Sequence, residues 1–122
     1  MKIKALVIAL AALAVSTAAQ AHAPKVGHNG GPQADAGSFH VEVVPKGKAL
    51  QVFLRDHGDK AVSTAGFKGT AVFVIDGKPQ RINLAPAGEN TLKGEAEVEL
   101  PAQPKGAVQI TTKAGSTVQA KF

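Results

Sequence analysis

The chain has 122 residues, a formal net charge of +5, no Cys, Trp or Tyr, and one Met, the first residue. That length allows a single domain, and the composition excludes disulfide staples, thiolate metal sites and a cysteine nucleophile. The hydrophobic share of 44% averages two unlike pieces, an aliphatic N-terminal run and a Gly- and Pro-rich remainder.

Met1-Lys2-Ile3-Lys4 is a short basic start, Ala5 to Val15 is uninterrupted apolar sequence, and Ala19-Gln20-Ala21 is a small-x-small cleavage pattern. This three-part layout predicts a cleaved secretory signal helix over residues 1–21. The apolar run falls short of the roughly 20 residues needed to span a bilayer, so no stable membrane insertion is expected after cleavage. No Cys lies near the cleavage point, so lipid anchoring through an N-terminal Cys is not expected. Cleavage after Ala21 leaves His22 as the new N-terminus, and cuts after Ala19 or Ala23 compete with it. The expected location is the periplasm or the secreted fraction.

The remaining 101 residues carry 12 Lys and Arg against 9 Asp and Glu, a net charge of +3. The cations are dispersed and aromatic stacking groups are nearly absent, which argues against a nucleic-acid partner. Residues 22–37 contain Pro, Gly and Asn with little apolar periodicity and read as an extended arm. Alternation begins at Ser38. Phe39, Val41 and Val43 share one face, with His40 and Glu42 on the other. Leu50, Val52 and Leu54 face inward on a second strand, and Asp56-His57-Gly58-Asp59 forms a polar loop.

Thr70 to Asp76 is apolar on both faces and is expected to be central. Asp76-Gly77-Lys78 predicts a tight hairpin into Gln80–Leu84. Ala96, Val98 and Leu100 alternate with Glu95, Glu97 and Glu99, predicting a strand with one solvated face. Val108 with Ile110, and Val118 with Ala120, complete the set. About seven strands in residues 38–122 predict an all-β fold, an antiparallel immunoglobulin-like β-sandwich, with a small barrel as the alternative.

No nucleophile elbow, phosphate loop or dinucleotide fingerprint is present, and no enzyme activity is expected. The histidines carry the chemistry. His22, His28, His40 and His57 all precede residue 58. With thiolate and internal thioether ligands absent, imidazole, carboxylate and a terminal amine remain, a donor set suited to copper, zinc, nickel or cobalt. His22 as a new N-terminus would offer two nitrogens to one ion, which favours Cu(II). Asp56 and Asp59 flank His57 and could raise its basicity or join a site.

Gly27-His28-Asn29-Gly30-Gly31-Pro32 followed by Gly37-Ser38-Phe39-His40-Val41-Glu42-Val43-Val44 resembles the segment opening the N-terminal β-domain of periplasmic adaptor proteins in heavy-metal efflux pumps. It also resembles small exported proteins that carry this domain alone. Leu50 to His57 is similar to the strand and loop that follow, so the resemblance spans about residues 27–84. It implies a β-sandwich tied to periplasmic metal handling, with His28, His40 and Glu42 at the matching positions. The metal-site residues are therefore His22, His28, His40, Glu42 and His57. The expected role is a metal chaperone or a resistance and efflux accessory factor, with a periplasmic efflux component as partner. The alternative is an immunoglobulin-like interaction module that binds a protein and no metal. Convergence of the histidines separates the two.

Overall fold

The computed structural model describes residues 25–122, so the signal segment and His22 lie outside the described residues. The described chain is all-β, with nine strands in chain order. These are β1 (Lys25–Val26), β2 (Pro32–Ala36), β3 (Phe39–Lys46), β4 (Ala49–Asp56), β5 (Lys68–Ile75), β6 (Lys78–Pro86), β7 (Thr91–Glu95), β8 (Lys105–Thr111) and β9 (Thr117–Lys121). Every pairing is antiparallel.

The strands form one sheet in the order β1-β2-β3-β4-β7-β6-β5-β8-β9. The two facing sheets of an immunoglobulin-like sandwich are thus not the observed pairing. The halves are joined by only two residue pairs between β6 and β7, Ala85↔Lys93 and Pro86↔Leu92. At that narrow junction the sheet curls into a half-barrel and brings β2 beside β9. A sandwich and a curled sheet both need one apolar face per strand, so alternation alone does not distinguish them.

The inward face is the one the alternation predicts. Val41, Val43, Leu50, Val52 and Leu54 are fully buried, as are Ile82, Val108, Ile110 and Ala120, around Phe73 at the centre. Asp76 and Gly77 both have positive φ, 52° and 76°, as a two-residue hairpin of the kind that matches strand twist requires. β5 departs from expectation. It lies between β6 and β8, but Val72 and Val74 are 37% and 54% exposed. The curled sheet is one layer thick, so the outer face of β5 has nothing to pack against even though β-branched residues suit the strand.

Two further differences concern strand limits. The segment read as an arm is extended, and its β2 pairs with β3 from Gln33↔Glu42 to Ala36↔Phe39. The strand expected over the glutamates lies earlier, at Thr91–Glu95, and ends where the alternation begins. Beyond it, the Ala96 and Leu100 amides donate to the Lys48 and Gly47 carbonyls, and the chain wraps over the β3–β4 turn. Glu95, Glu97 and Glu99 are exposed, as expected.

Packing on one face only has a measurable consequence. Phe73→Ala should cost about 3–5 kcal/mol of stability, through lost burial and a residual cavity. Val74→Thr on the adjacent outward position should stay within about 0.5 kcal/mol. Urea unfolding of both variants checks the assignment, and equal losses would contradict a single inward core.

Candidate metal centre

The site begins with the β2–β3 hairpin. Gly37-Ser38 joins the strands, and Asp35 and His40 are directly opposed. Side chains of opposed residues project from the same face, roughly 5 Å apart at Cβ. Since Phe39 and Val41 turn toward the core, His40 and Asp35 share the outer face. His40 Nδ1 lies 2.6 Å from Asp35 Oδ1. With Nδ1 donating to the carboxylate, the lone pair of a neutral ring sits on Nε2.

The third member comes from the loop after β4. That loop is closed by the Asp56 amide donating to the Lys60 carbonyl at 2.8 Å and the Lys60 amide donating to Asp56 Oδ1 at 3.0 Å. It delivers the His57 ring edge-on to His40, with centroids 4.7 Å apart and planes at 84°. His57 Nε2 donates to the Gly37 carbonyl at 3.1 Å. Asp35, His40 and His57 each offer a ligand atom, and these atoms lie within 4.8 Å of one another. His40 is half-buried, while Asp35 and His57 are exposed. Two imidazoles and a carboxylate, open to solvent, can hold a borderline divalent cation and leave coordination positions for water or a partner's ligand. Arg55 is opposite His40 in the β3–β4 register.

His28 stands outside this group. It projects from the turn between β1 and β2, and its Nε2 meets Asp59 Oδ2 at 2.7 Å, with both side chains about half exposed. Asp59 is held in the left-handed region at φ 64°, and its carbonyl accepts a hydrogen bond from Arg55 Nη1 at 3.1 Å. Arg55 Nε is buried without a partner, so this corner is less fully satisfied than the hairpin beside it.

Glu42 has a different task. Its side chain is buried beneath the turn over residues 27–31. Its carboxylate accepts from the Asn29 amide at 2.9 Å, from Asn29 Nδ2 at 3.1 Å and from the Gly31 amide at 2.8 Å. A Cβ on Gly27 would lie 2.3 Å from the Glu42 carboxyl carbon, and one on Gly31 would lie 2.1 Å from the Val43 carbonyl oxygen. The Gly-His-Asn-Gly-Gly sequence is therefore a cap closing over a buried carboxylate. Of the sequence-predicted ligands, His40 and His57 converge. His28 pairs elsewhere, Glu42 binds the cap, and His22 lies outside the described residues.

Asp35 is the ligand candidate that reading residues 22–37 as an arm passes over. The available signal was the Gly37-Ser38 pair: as a two-residue loop it sets Asp35 against His40. No protein-family model matches the chain, and neither a curated protein nor a solved structure matches it.

The cap makes a direct prediction. Glu42→Gln keeps the shape but turns an amide NH2 toward N–H donors, so it should cost about 1–3 kcal/mol. Amide exchange at Asn29 and Gly31 should accelerate first. Unchanged exchange at those amides would show that the carboxylate does not hold the turn.

Proposed function

We propose that the chain is an exported, periplasmic protein that binds a transition metal at Asp35, His40 and His57 and acts as a metal chaperone or a resistance and efflux accessory factor. The observation that carries this reading is the convergence of two imidazoles and a carboxylate from three chain segments. Copper is the first candidate and zinc, nickel or cobalt the next, because imidazole and carboxylate suit them all and imidazole binds copper strongly. The signal-like layout of residues 1–21 supports export. The likeness to adaptor N-terminal domains supports a place beside a periplasmic efflux component. The role is binding, not catalysis.

Each histidine nitrogen that contacts Asp35 or Gly37 carries a proton, so loading the site through those atoms displaces protons. The solvent-open geometry suits an ion that is passed on. The competing reading, an interaction module with incidental histidines, predicts no shared response of these three residues to a metal.

Calorimetric titration of the exported protein with Cu(II), Zn(II) and Ni(II) tests this. One site tighter than about 10 μM is expected for the preferred ion. His40→Ala and His57→Ala should each weaken it tenfold or more, while His28→Ala should leave it within about twofold. His22→Ala, run in parallel, separates binding by the terminal amine from binding at the hairpin. Affinity no tighter than about 1 mM, or equal affinity in the His40 and His57 variants, would overturn the assignment.

A further inference from the structure

The β6-β5-β8-β9 half of the sheet differs in charge from the half that holds the histidines. Its four strands contain Lys68, Lys78, Arg81, Lys105 and Lys121 and no Asp or Glu. These cations are dispersed in the sequence, and the sheet gathers them. Ala71, Phe73, Ile82, Val108 and Ala120 are buried, so the residues that alternate with them face outward.

The register sets these outward residues in rows across the strands. Thr70 is opposite Asn83 on β6 and Gln109 on β8, and Gln109 is opposite Gln119 on β9. With neighbouring strands about 4.8 Å apart, this row of amides and a hydroxyl runs about 14 Å. On one side of it lies the row of Lys68 and Thr111, paired across β5 and β8. On the other side Arg81 is opposite Val72, and Lys121 is opposite Ala107. Each flanking row is about 7 Å from the central one. Between the Lys68 row and the central row is an open depression of about 350 Å³, walled by Lys68, Thr70, Asn83, Gln109 and Thr111.

We infer that this face binds an anionic polysaccharide, an extended chain of sugars that carry hydroxyl and carboxylate groups. Side-chain amides and threonine hydroxyls both donate and accept hydrogen bonds, as sugar hydroxyls do. A glycan lying along the central row sets its hydroxyls against Asn83, Thr70, Gln109 and Gln119. Its carboxylates meet Lys68 on one side and Arg81 and Lys121 on the other, and no acidic residue of these strands repels them. Phe73, the aromatic residue of the four strands, is buried, which leaves their outer face nothing on which to stack a nucleic-acid base. Val72 and Val74, its exposed apolar groups, are too small to anchor it in a bilayer. The face shares no residue with the candidate metal centre, so it stands whether or not a metal binds there.

The test uses the full exported chain, labelled with 15N, in EDTA so that no metal contributes. The probe is an alginate oligosaccharide, and the control is the same oligosaccharide with its carboxyl groups reduced to alcohols. Saturable shifts are expected at Thr70, Asn83, Gln109 and Gln119, with the neutral sugar bound about tenfold or more weakly. The Asn83→Ala, Gln109→Ala double variant, with both changes at exposed positions, should keep its circular dichroism spectrum and lose about tenfold in affinity. Lys68→Gln should also weaken binding, whereas Lys46→Gln removes the same charge from the other half of the sheet and should stay within about twofold. His57→Ala should bind the glycan as the unaltered chain does. Equal binding of the two sugars, undiminished binding by the amide variant, equal losses in the two lysine variants, shifts elsewhere or no saturation would each overturn the inference. Tighter binding to phosphatidylglycerol vesicles or to a single-stranded oligonucleotide than to alginate would overturn it too, in favour of a membrane or a nucleic acid.

Discussion

The buried carboxylate of Glu42 is the constraint on which the N-terminal third depends. Moving a charged carboxylate out of water costs several kcal/mol unless donors replace the lost hydration. Here the donors are two backbone amides and one side-chain amide of a single turn, and among the described residues no cationic side chain takes part. Charge-assisted bonds of this kind are about twice as strong as neutral ones. They tie the turn between β1 and β2 to the β3 strand beneath it. With the cap seated, β2 is fixed against β3, and Asp35 is set opposite His40.

The one-layer sheet explains why a ligand site can exist beside the core without disturbing it. Along β3 each inward valine is followed by an outward residue, so His40 and Glu42 project away from the packed face while Val41 and Val43 fill it. His40 makes the open pairing with Asp35 and His57, and Glu42 makes the closed one under the cap. The three candidate ligands come from separately anchored pieces: a sheet strand, its hairpin neighbour, and a loop tied by its own hydrogen bonds. Preorganised ligands cost less to order when an ion arrives.

The inward face was legible residue by residue, because alternation with period two reports burial directly. The Asp76-Gly77 hairpin was legible for the same local reason. Three features were not. The single-sheet topology depends on which strands neighbour one another, and alternation carries no information on that. β7 was displaced because Thr91–Glu95 contains one large apolar residue, Leu92, whereas Ala96 to Leu100 alternates well but spends its amides on the β3–β4 turn. β2 has no apolar stripe and sits at the sheet margin, so the sequence Pro-Gln-Ala-Asp-Ala gives no pattern. Asp35 was lost with it. The site was half visible as a result: His40 and His57 from residue type, their carboxylate only from register.

The motif that suggested metal handling divides into two parts with different physics. Gly27, Asn29, Gly31 and Glu42 form a cap whose parts satisfy one another, and none of them is left free to bind an ion. The candidate ligand set comes from the hairpin the cap supports, and from a loop about twenty residues further on. A chain could keep the cap and the fold while replacing Asp35 or His57, and it would then retain the motif without the donor set. Conversely, His28 can change with little effect on either, since its contact with Asp59 is a half-exposed pair of the kind worth at most about 1 kcal/mol. In this chain the metal reading therefore rests on Asp35, His40 and His57 together and not on the glycine-rich turn that makes the sequence conspicuous.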